Sequence, residues 1–246
     1  MTHPDPMPAS MSPTVDLPSA ENASPRDRLI QAAMRFFAER GTSVPMTEIA
    51  MAAQNRNKSA INYHFDGKEG LIEAVHGEIL GFIKASYERL LDELEAGESH
   101  GTVYEVGLAI TAPFFALYVS GPDGPTAVKA LARLAFDSPT RGRGFYQTVL
   151  SAEFKRFSAL LVALRPDKEE GQLRFHLSHC FMATVTGLAI LDRWEEVSVP
   201  PDPDLLFELM LSYADYVSGG LGSTEKGRPG FDTKRWRDEM AGGRAS

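Results

Sequence analysis

The sequence predicts an all-α protein that begins with a three-helix helix-turn-helix domain and continues into a larger helical domain. Apolar residues recur about every three to four positions in successive segments, which is the period of an α-helix. Breaks rich in Gly, Pro and Asp separate these segments, as at residues 120–123 and 199–203. No segment alternates polar and apolar residues as a half-buried strand does, so we expect no sheet.

The first helix is predicted over residues 25–40 because both of its ends carry capping residues. Ser24 supplies an N-cap hydroxyl, and the Asp27 carboxylate can reach back to free amides. Gly41 follows where a C-terminal glycine is expected.

Three further helix starts follow within thirty residues or so. A second, shorter helix opens at Pro45, and the polar run at residues 54–57 breaks it. A third runs from about Lys58 to His64. The cap-like sequence at residues 66–69 then starts a fourth helix.

The third helix is unusually polar. Its apolar residues are Ala60 and Ile61, with Phe65 just beyond. Asn makes bidentate contacts to adenine, Lys reaches guanine or phosphate, and hydroxyl groups donate to phosphate oxygens. The pattern therefore fits a DNA-reading helix, although a solvated surface helix has the same composition. The outward-facing set is Lys58, Ser59, Asn62 and Tyr63.

The run TEIAMAAQNRNKSAINYHFDGKEGL resembles the DNA-binding signature of the TetR family of transcriptional regulators. The shared features are a T-x-I-A pattern, a turn, a helix ending in Y-H-F and a K-E-x-L start to the fourth helix. The resemblance implies that Thr47 and Lys68 lie near the flanking phosphates. It also places a group of residues on or beside the recognition helix: Arg56, Asn57, Lys58, Ser59, Asn62, Tyr63 and His64.

The turn departs from the commonest family pattern. Residues 53–57 lack the usual glycine, which Gln54 replaces, and the turn is one residue longer. Residues 56–60 resemble a subgroup with a Q-R-N-x-S-A-x-x-Y-H-F arrangement.

Composition and charge are compatible with this interpretation. A chain of 246 residues with 43% hydrophobic content can bury a sizeable core. The single Cys180 and the absence of a signal segment predict a cytoplasmic protein, and the longest apolar stretch is too short to span a membrane. The net charge is −8, yet residues 24–70 carry seven Lys and Arg against five Asp and Glu. The positive end would then be the part that approaches DNA.

The remaining chain predicts one long connecting helix and five more helices. The long helix covers residues 68–95; the others cover about 102–119, 123–137, 144–164, 168–195 and 203–219. The predicted domains are a disordered segment at 1–23, a DNA-binding domain at 24–70, a ligand-binding and dimerisation domain at 71–220 and a flexible tail at 221–246.

The last two predicted helices carry apolar residues around most of their circumference, more than packing against one neighbouring surface requires. In TetR-like proteins the final helices pair across a two-fold axis in a four-helix bundle, so the resemblance implies a homodimer that reads a near-palindrome. The alternative is that both helices are buried inside one subunit. The apolar residues of the final helix are Leu205, Leu206, Leu209, Met210, Tyr213, Tyr216 and Val217.

The middle of the chain supplies aromatic residues that could line a pocket for a small-molecule effector, or could simply form the core. His176, His179 and Cys180 share a helical face, but the last two diverge by about 100° and no second cluster accompanies them. We therefore expect no metal, no cofactor and no catalytic site. The proposed ligand-binding residues are Phe114, Phe115, Tyr118, Phe154, His176 and Cys180.

Together these features predict a ligand-responsive transcriptional regulator, more specifically a repressor, that a small molecule releases from its operator DNA. Two alternatives remain open at this stage. One is a helical small-molecule carrier or enzyme that does not use its helix-turn-helix on DNA. The other is an interaction module whose polar third helix contacts a protein.

Overall fold

The computed structural model describes residues 24–55, 60–97, 101–137, 150–193 and 202–223. Every element in these ranges is helical, as the sequence predicts, and they contain no strand. The helices are α1 Pro25–Arg40, α2 Met46–Ala52, α3 Ala60–Phe65, α4 Lys68–Ala96, α5 Val103–Tyr118, α6 Gly124–Phe136, α7 Ser151–Leu164, α8 Glu170–Ala189 and α9 Pro203–Gly222, with a short 3₁₀ turn at Leu191–Arg193.

Most predicted boundaries agree with these bounds to within a residue or two. The prediction of a helix over 168–195 is wrong at its C-terminal end, because α8 stops at Ala189 and the backbone tightens into the 3₁₀ turn. The predicted starts at residues 58 and 144, the segment 1–23 and the tail after residue 223 lie outside the described residues.

The first helix is capped as its sequence predicts. The Asp27 amide donates a hydrogen bond to the Ser24 hydroxyl, and the Ser24 amide donates one to the Asp27 carboxylate; each donor–acceptor distance is 3.2 Å. At the other end the Gly41 amide donates to the Phe37 carbonyl over 3.0 Å, and Gly41 adopts φ +73°, a conformation that favours glycine. The caps therefore fix both ends of α1.

Helices α1, α2 and α3 form the head of the molecule on the first turns of α4. Their inward side chains are fully or nearly fully buried and belong to the same continuous hydrophobic core as the later helices. The largest fully buried side chains of the head are Leu29, Phe37, Ile49 and Ile61, together with Leu71 in the first turn of α4.

Helix α4 connects this head to the rest of the chain, which we call the body. Its 29 residues span about 43 Å at 1.5 Å per residue. Arg156 of α7 fixes the far end of the helix, with contacts of 2.6 Å to Asp92 and 2.7 Å to Glu95. One end of α4 therefore belongs to the head and the other is tied to the body.

The body is built around α5, which packs against α4, α6, α7, α8 and α9. Helices α5 and α9 lie very close at Gly107, where an added Cβ would come within 3.1 Å of the Ala214 carbonyl oxygen. The buried Arg165 donates to the Leu221 carbonyl over 3.0 Å, which satisfies a free carbonyl at the end of α9. Among the described helices none has the length and apolarity needed to cross a membrane.

Head and body also meet where α1 packs against α6. The crevice between α1, α4 and α6 holds only about 20 Å³, room for one water molecule. The two helices are therefore in close contact.

Candidate nucleic-acid interface and effector-binding core

The turn after α2 adopts a left-handed backbone without a glycine. Gln54 has φ +54°, the conformation for which most helix-turn-helix turns use glycine. The Asn55 amide donates to the Ala50 carbonyl over 3.0 Å and so closes the end of α2. The turn therefore keeps its left-handed conformation with glutamine in place of glycine. This conformation costs a glutamine about 1 kcal/mol.

Helix α3 has one buried side and one exposed side. Ile61 and Phe65 are buried against the head, with 1% and 7% of their surface exposed. Asn62 is exposed and Tyr63 is 83% exposed, so these two of the residues predicted to read DNA face solvent. The half-buried His64 packs edge-to-face with Tyr63 at a ring distance of 4.9 Å.

The residues predicted to flank the recognition helix lie on two different helices. Thr47 is exposed on α2, and Lys68 is half-buried at the first position of α4. Arg56, Asn57, Lys58 and Ser59 lie outside the described residues, so their positions remain predictions from the sequence.

An ion pair ties α1 to α2 beside Thr47. Arg40 Nη1 donates to Glu48 Oε2 over 2.6 Å, and this hydrogen bond lowers the pKa of the Glu48 carboxyl below its ordinary value. Both side chains are exposed, so we expect the pair to contribute little stability. Its consequence is electrostatic, because Glu48 offsets one positive charge of the head.

The predicted effector-binding residues do not form a single cluster. Phe114 and Phe154 both contact Phe181, at ring distances of 6.2 and 6.1 Å. Phe115 instead packs against Tyr213 of α9, at 5.6 Å. The structure thus brings Phe114 and Phe154 together at the centre of the body, whereas Phe115 faces α9.

Two central residues of this aromatic cluster were not predicted. Tyr87 packs edge-to-face on Phe114, Phe157 and Phe181, and its hydroxyl donates to the Ile110 carbonyl over 2.8 Å. The sequence signal was present in the apolar stripe of α4, but the stripe alone does not distinguish Tyr87 from its aliphatic neighbours. Phe181 follows the predicted Cys180 directly.

The polar members of the predicted set sit in desolvated surroundings. Burial raises the pKa of the Tyr118 hydroxyl, with a further contribution from Asp192. Burial raises the pKa of the Cys180 thiol to about 12, so the thiol stays protonated near neutral pH and is a poor nucleophile and metal ligand. His176 is half-buried, and burial lowers its pKa.

His179 of α8 contacts Phe175. It is exposed, its ring lies 4.1 Å from that of Phe175, and its Nδ1 is 2.9 Å from the Phe175 carbonyl oxygen. Within the described ranges no three His, Cys, Asp or Glu residues converge as metal ligands would.

Helices α8 and α9 also carry exposed apolar side chains. Phe175 on α8 is 61% exposed and Ile190, directly after α8, is 43% exposed, while Phe207 and Tyr216 on α9 are 39% and 71% exposed. Leu206 and Val217, by contrast, are buried. Each of the two helices therefore packs some side chains against the body and leaves others, including aromatic ones, exposed to solvent.

A compact head with an exposed polar helix, joined by a long helix to an all-helical body, defines a helix-turn-helix regulator with a separate regulatory domain. Comparison with protein families agrees. Residues 29–75 match the model of bacterial regulatory proteins of the tetR family, and residues 108–220 match a tetracyclin repressor-like C-terminal domain. The chain thus belongs to the TetR family and is a ligand-responsive, DNA-binding transcriptional regulator.

Solved structures show the same fold. The crystal structure of Mycobacterium smegmatis AmtR aligns with a TM-score of 0.53 and 15% sequence identity, covering 86% of this chain and 99% of that one. Comparison with curated proteins finds no significant match. Neither matching family model is that of an enzyme.

Proposed function

We propose that the protein is a homodimeric repressor that binds a near-palindromic operator with the α2–α3 surfaces of two heads and leaves it when a small molecule binds the body. The observation that carries this proposal is the division of α3. Ile61 and Phe65 anchor the helix in the head while Asn62 and Tyr63 face solvent. An anchored helix with an exposed polar face suits insertion into a major groove.

Within this proposal the residues divide into base readers and phosphate contacts. Asn62 and Lys58 read base edges, as their amide and ammonium groups suit adenine and guanine. Thr47, Tyr63 and Lys68 contact phosphates, and Lys68 adds positive charge at the N-terminus of α4. The remaining members of the proposed surface are Arg56, Asn57, Ser59 and His64. The resemblance of residues 56–60 to the Q-R-N-x-S-A segment supports assigning the chain to that subgroup.

The proposed dimer uses the exposed side of α8 and α9. Phe175 and Tyr216 leave more than half of their surface in solvent, which is unusual for aromatic residues that contact nothing further. A second copy that covers them would form a four-helix bundle. Two heads would then meet successive major grooves about 34–36 Å apart, which one short helix cannot do.

The effector would bind within the aromatic cluster of the body. Phe114, Phe154 and Phe181 offer apolar ring surface, and the Tyr87 hydroxyl is a polar group beside them. Because α4 contributes Tyr87 to the cluster and its first turns to the head, a ligand there would act on the head through one rigid helix. Coupling of about 1–3 kcal/mol would change operator affinity by roughly 5- to 150-fold.

The proposed division of the chain is a DNA-binding domain at 24–70 and a ligand-binding and dimerisation domain at 71–220, flanked by an N-terminal segment at 1–23 and a C-terminal segment at 221–246. The proposed location is the cytoplasm, where operator DNA and a reduced Cys180 are both expected.

Selection from a pool of random duplexes, followed by footprinting of the winning sequence, tests the proposal. We expect a site of two inverted half-sites with protection on one face of the duplex over two successive major grooves. A protein that enriches no sequence at low salt would contradict the proposal and favour a small-molecule carrier or an interaction module.

A further inference from the structure

Asp137 belongs to the body but contacts the head. It follows the last residue of α6, and its amide donates to the Arg133 carbonyl over 2.9 Å, which keeps it in helical register. Its carboxylate Oδ2 accepts a hydrogen bond of 2.8 Å from the backbone amide of Thr42 in the loop that follows α1. The two residues are 95 positions apart in the sequence.

Gly41 gives the carboxylate the space that it occupies. A Cβ at Gly41 would overlap Asp137 Oδ2 and would lie 3.1 Å from Asp137 Cγ. Gly41 also has φ +73°, which turns the chain sharply after α1 and presents the Thr42 amide. Residues 41 and 42 thus form a small backbone cradle for one carboxylate.

Helix α6 connects this cradle to the interior of the body. It packs against α8 and α5, the helices that carry Phe181 and Phe114. Lys129 of α6 also contacts Asp192, just beyond α8, over 2.6 Å. These contacts form a continuous path from α8 and α5 to the end of α6, where Asp137 contacts the head.

We infer that Asp137 is a positioning residue for DNA binding: its carboxylate, held by the Gly41–Thr42 backbone, fixes the orientation of the head on the body. The inference rests on the proposed function, since a fixed orientation matters when two heads must match one operator. Without the hydrogen bond each head keeps its fold and its reading surface. Each head then loses the restraint that sets its distance from the other head of the dimer.

Two substitutions at this position separate the hydrogen bond from the charge. Asp137→Ala and Asp137→Asn both remove one negative charge, but the Asn side-chain oxygen still accepts from the Thr42 amide. Asp137 is exposed, so both variants should fold, and thermal unfolding verifies this. Each is tested on the selected operator and on versions whose half-sites are moved apart or together by two base pairs.

The wild type and Asp137→Asn should prefer the natural spacing. Asp137→Ala should bind that operator about three- to tenfold more weakly, the equivalent of one modest hydrogen bond, and should bind the three spacings more nearly equally. In a peptide that covers residues 41–44, amide hydrogen exchange should be faster in Asp137→Ala than in the wild type, and Asp137→Asn should exchange at the wild-type rate.

Equal behaviour of the Ala and Asn variants in both measurements would overturn the inference, because the effect would then be one of charge or would be absent. If the wild type binds no duplex, the proposed function fails, while hydrogen exchange still tests the contact between head and body.

Discussion

At the scale of single residues, the titration of His176 should make the free energy of unfolding depend on pH. Burial first, and then Lys168 and His179, lower its pKa below the ordinary value of 6.5. The unfolded chain therefore takes up a proton near that value while the folded chain resists it. The free energy of unfolding should thus fall as the pH is lowered from about 7.5 through 6.5.

Replacing His176 by Gln should remove this contribution, because glutamine does not titrate. Urea unfolding of the wild type and of His176→Gln at about pH 7.5 and 5.5 tests the prediction, and the variant should lose less stability on acidification. The same loss in both proteins would contradict the assignment of the pH dependence to His176.

Two non-glycine residues, Gln54 and Asp66, adopt left-handed backbone conformations. Gln54 ends the turn after α2, and Asp66 with φ +55° ends α3. Both flank α3, the proposed reading helix, where a fixed backbone would serve DNA binding at a small cost in stability. The sequence indicated a turn at each place, but only the backbone shows that a non-glycine residue adopts the positive φ.

At the scale of elements, one side chain of α7 bonds to two residues at the far end of α4. Arg156 bonds to Asp92 and Glu95, and these hydrogen bonds raise the pKa of its guanidinium, so it stays charged throughout the accessible range. The contacts are partly exposed, which limits their contribution to about 1 kcal/mol. Their main effect should be on local order in the last turns of α4.

Arg156→Ala should therefore release the C-terminal turns of α4 while global stability changes little. Hydrogen exchange of peptides that cover residues 88–96 should quicken, and the melting temperature should fall by no more than a few degrees. Arg156→Lys, which keeps the charge but not the two-pronged geometry, should be intermediate. Unchanged exchange in the Ala variant would show that packing alone holds this end of the helix.

Helical periodicity and capping residues were sufficient to predict the elements, because both signals are local. Ser24, Asp27 and Gly41 cap α1 as expected. The contacts between elements were less predictable. Nothing near Asp137 in the sequence indicates that its partner is Thr42, and nothing in an apolar stripe indicates that Phe115 turns to Tyr213 while Phe114 turns to Phe181.

For the molecule as a whole, the exposed aromatic surface of α8 and α9 should decide the oligomeric state. An aspartate at position 175 would place a charge in the proposed interface, where its desolvation costs several kcal/mol. Phe175→Asp should therefore sediment as a monomer at micromolar concentration. It should also lose most of its operator affinity, because one head makes too few contacts.

Val119→Asp is the matched control for this experiment. Val119 is 60% exposed, much like Phe175, but it lies just beyond the C-terminus of α5 and outside the proposed interface. The Val119→Asp variant should therefore remain a dimer. Dissociation of both variants, or of neither, would contradict the location of the interface on α8 and α9.

The central claim is that the exposed face of α3 and the residues before it read DNA, and fluorescence anisotropy on operator DNA tests it most directly. The wild type, Lys58→Ala/Asn62→Ala and Lys84→Ala would be compared at two salt concentrations. Lys84→Ala removes an exposed lysine from α4 as the control.

We predict tight, salt-sensitive binding by the wild type and by Lys84→Ala. The double variant should lose roughly tenfold or more in affinity, with the dimer intact and a shallower dependence on salt, because it lacks a base contact and a cationic contact in each half-site. Wild-type affinity in the double variant would contradict the account and place the DNA-binding surface elsewhere.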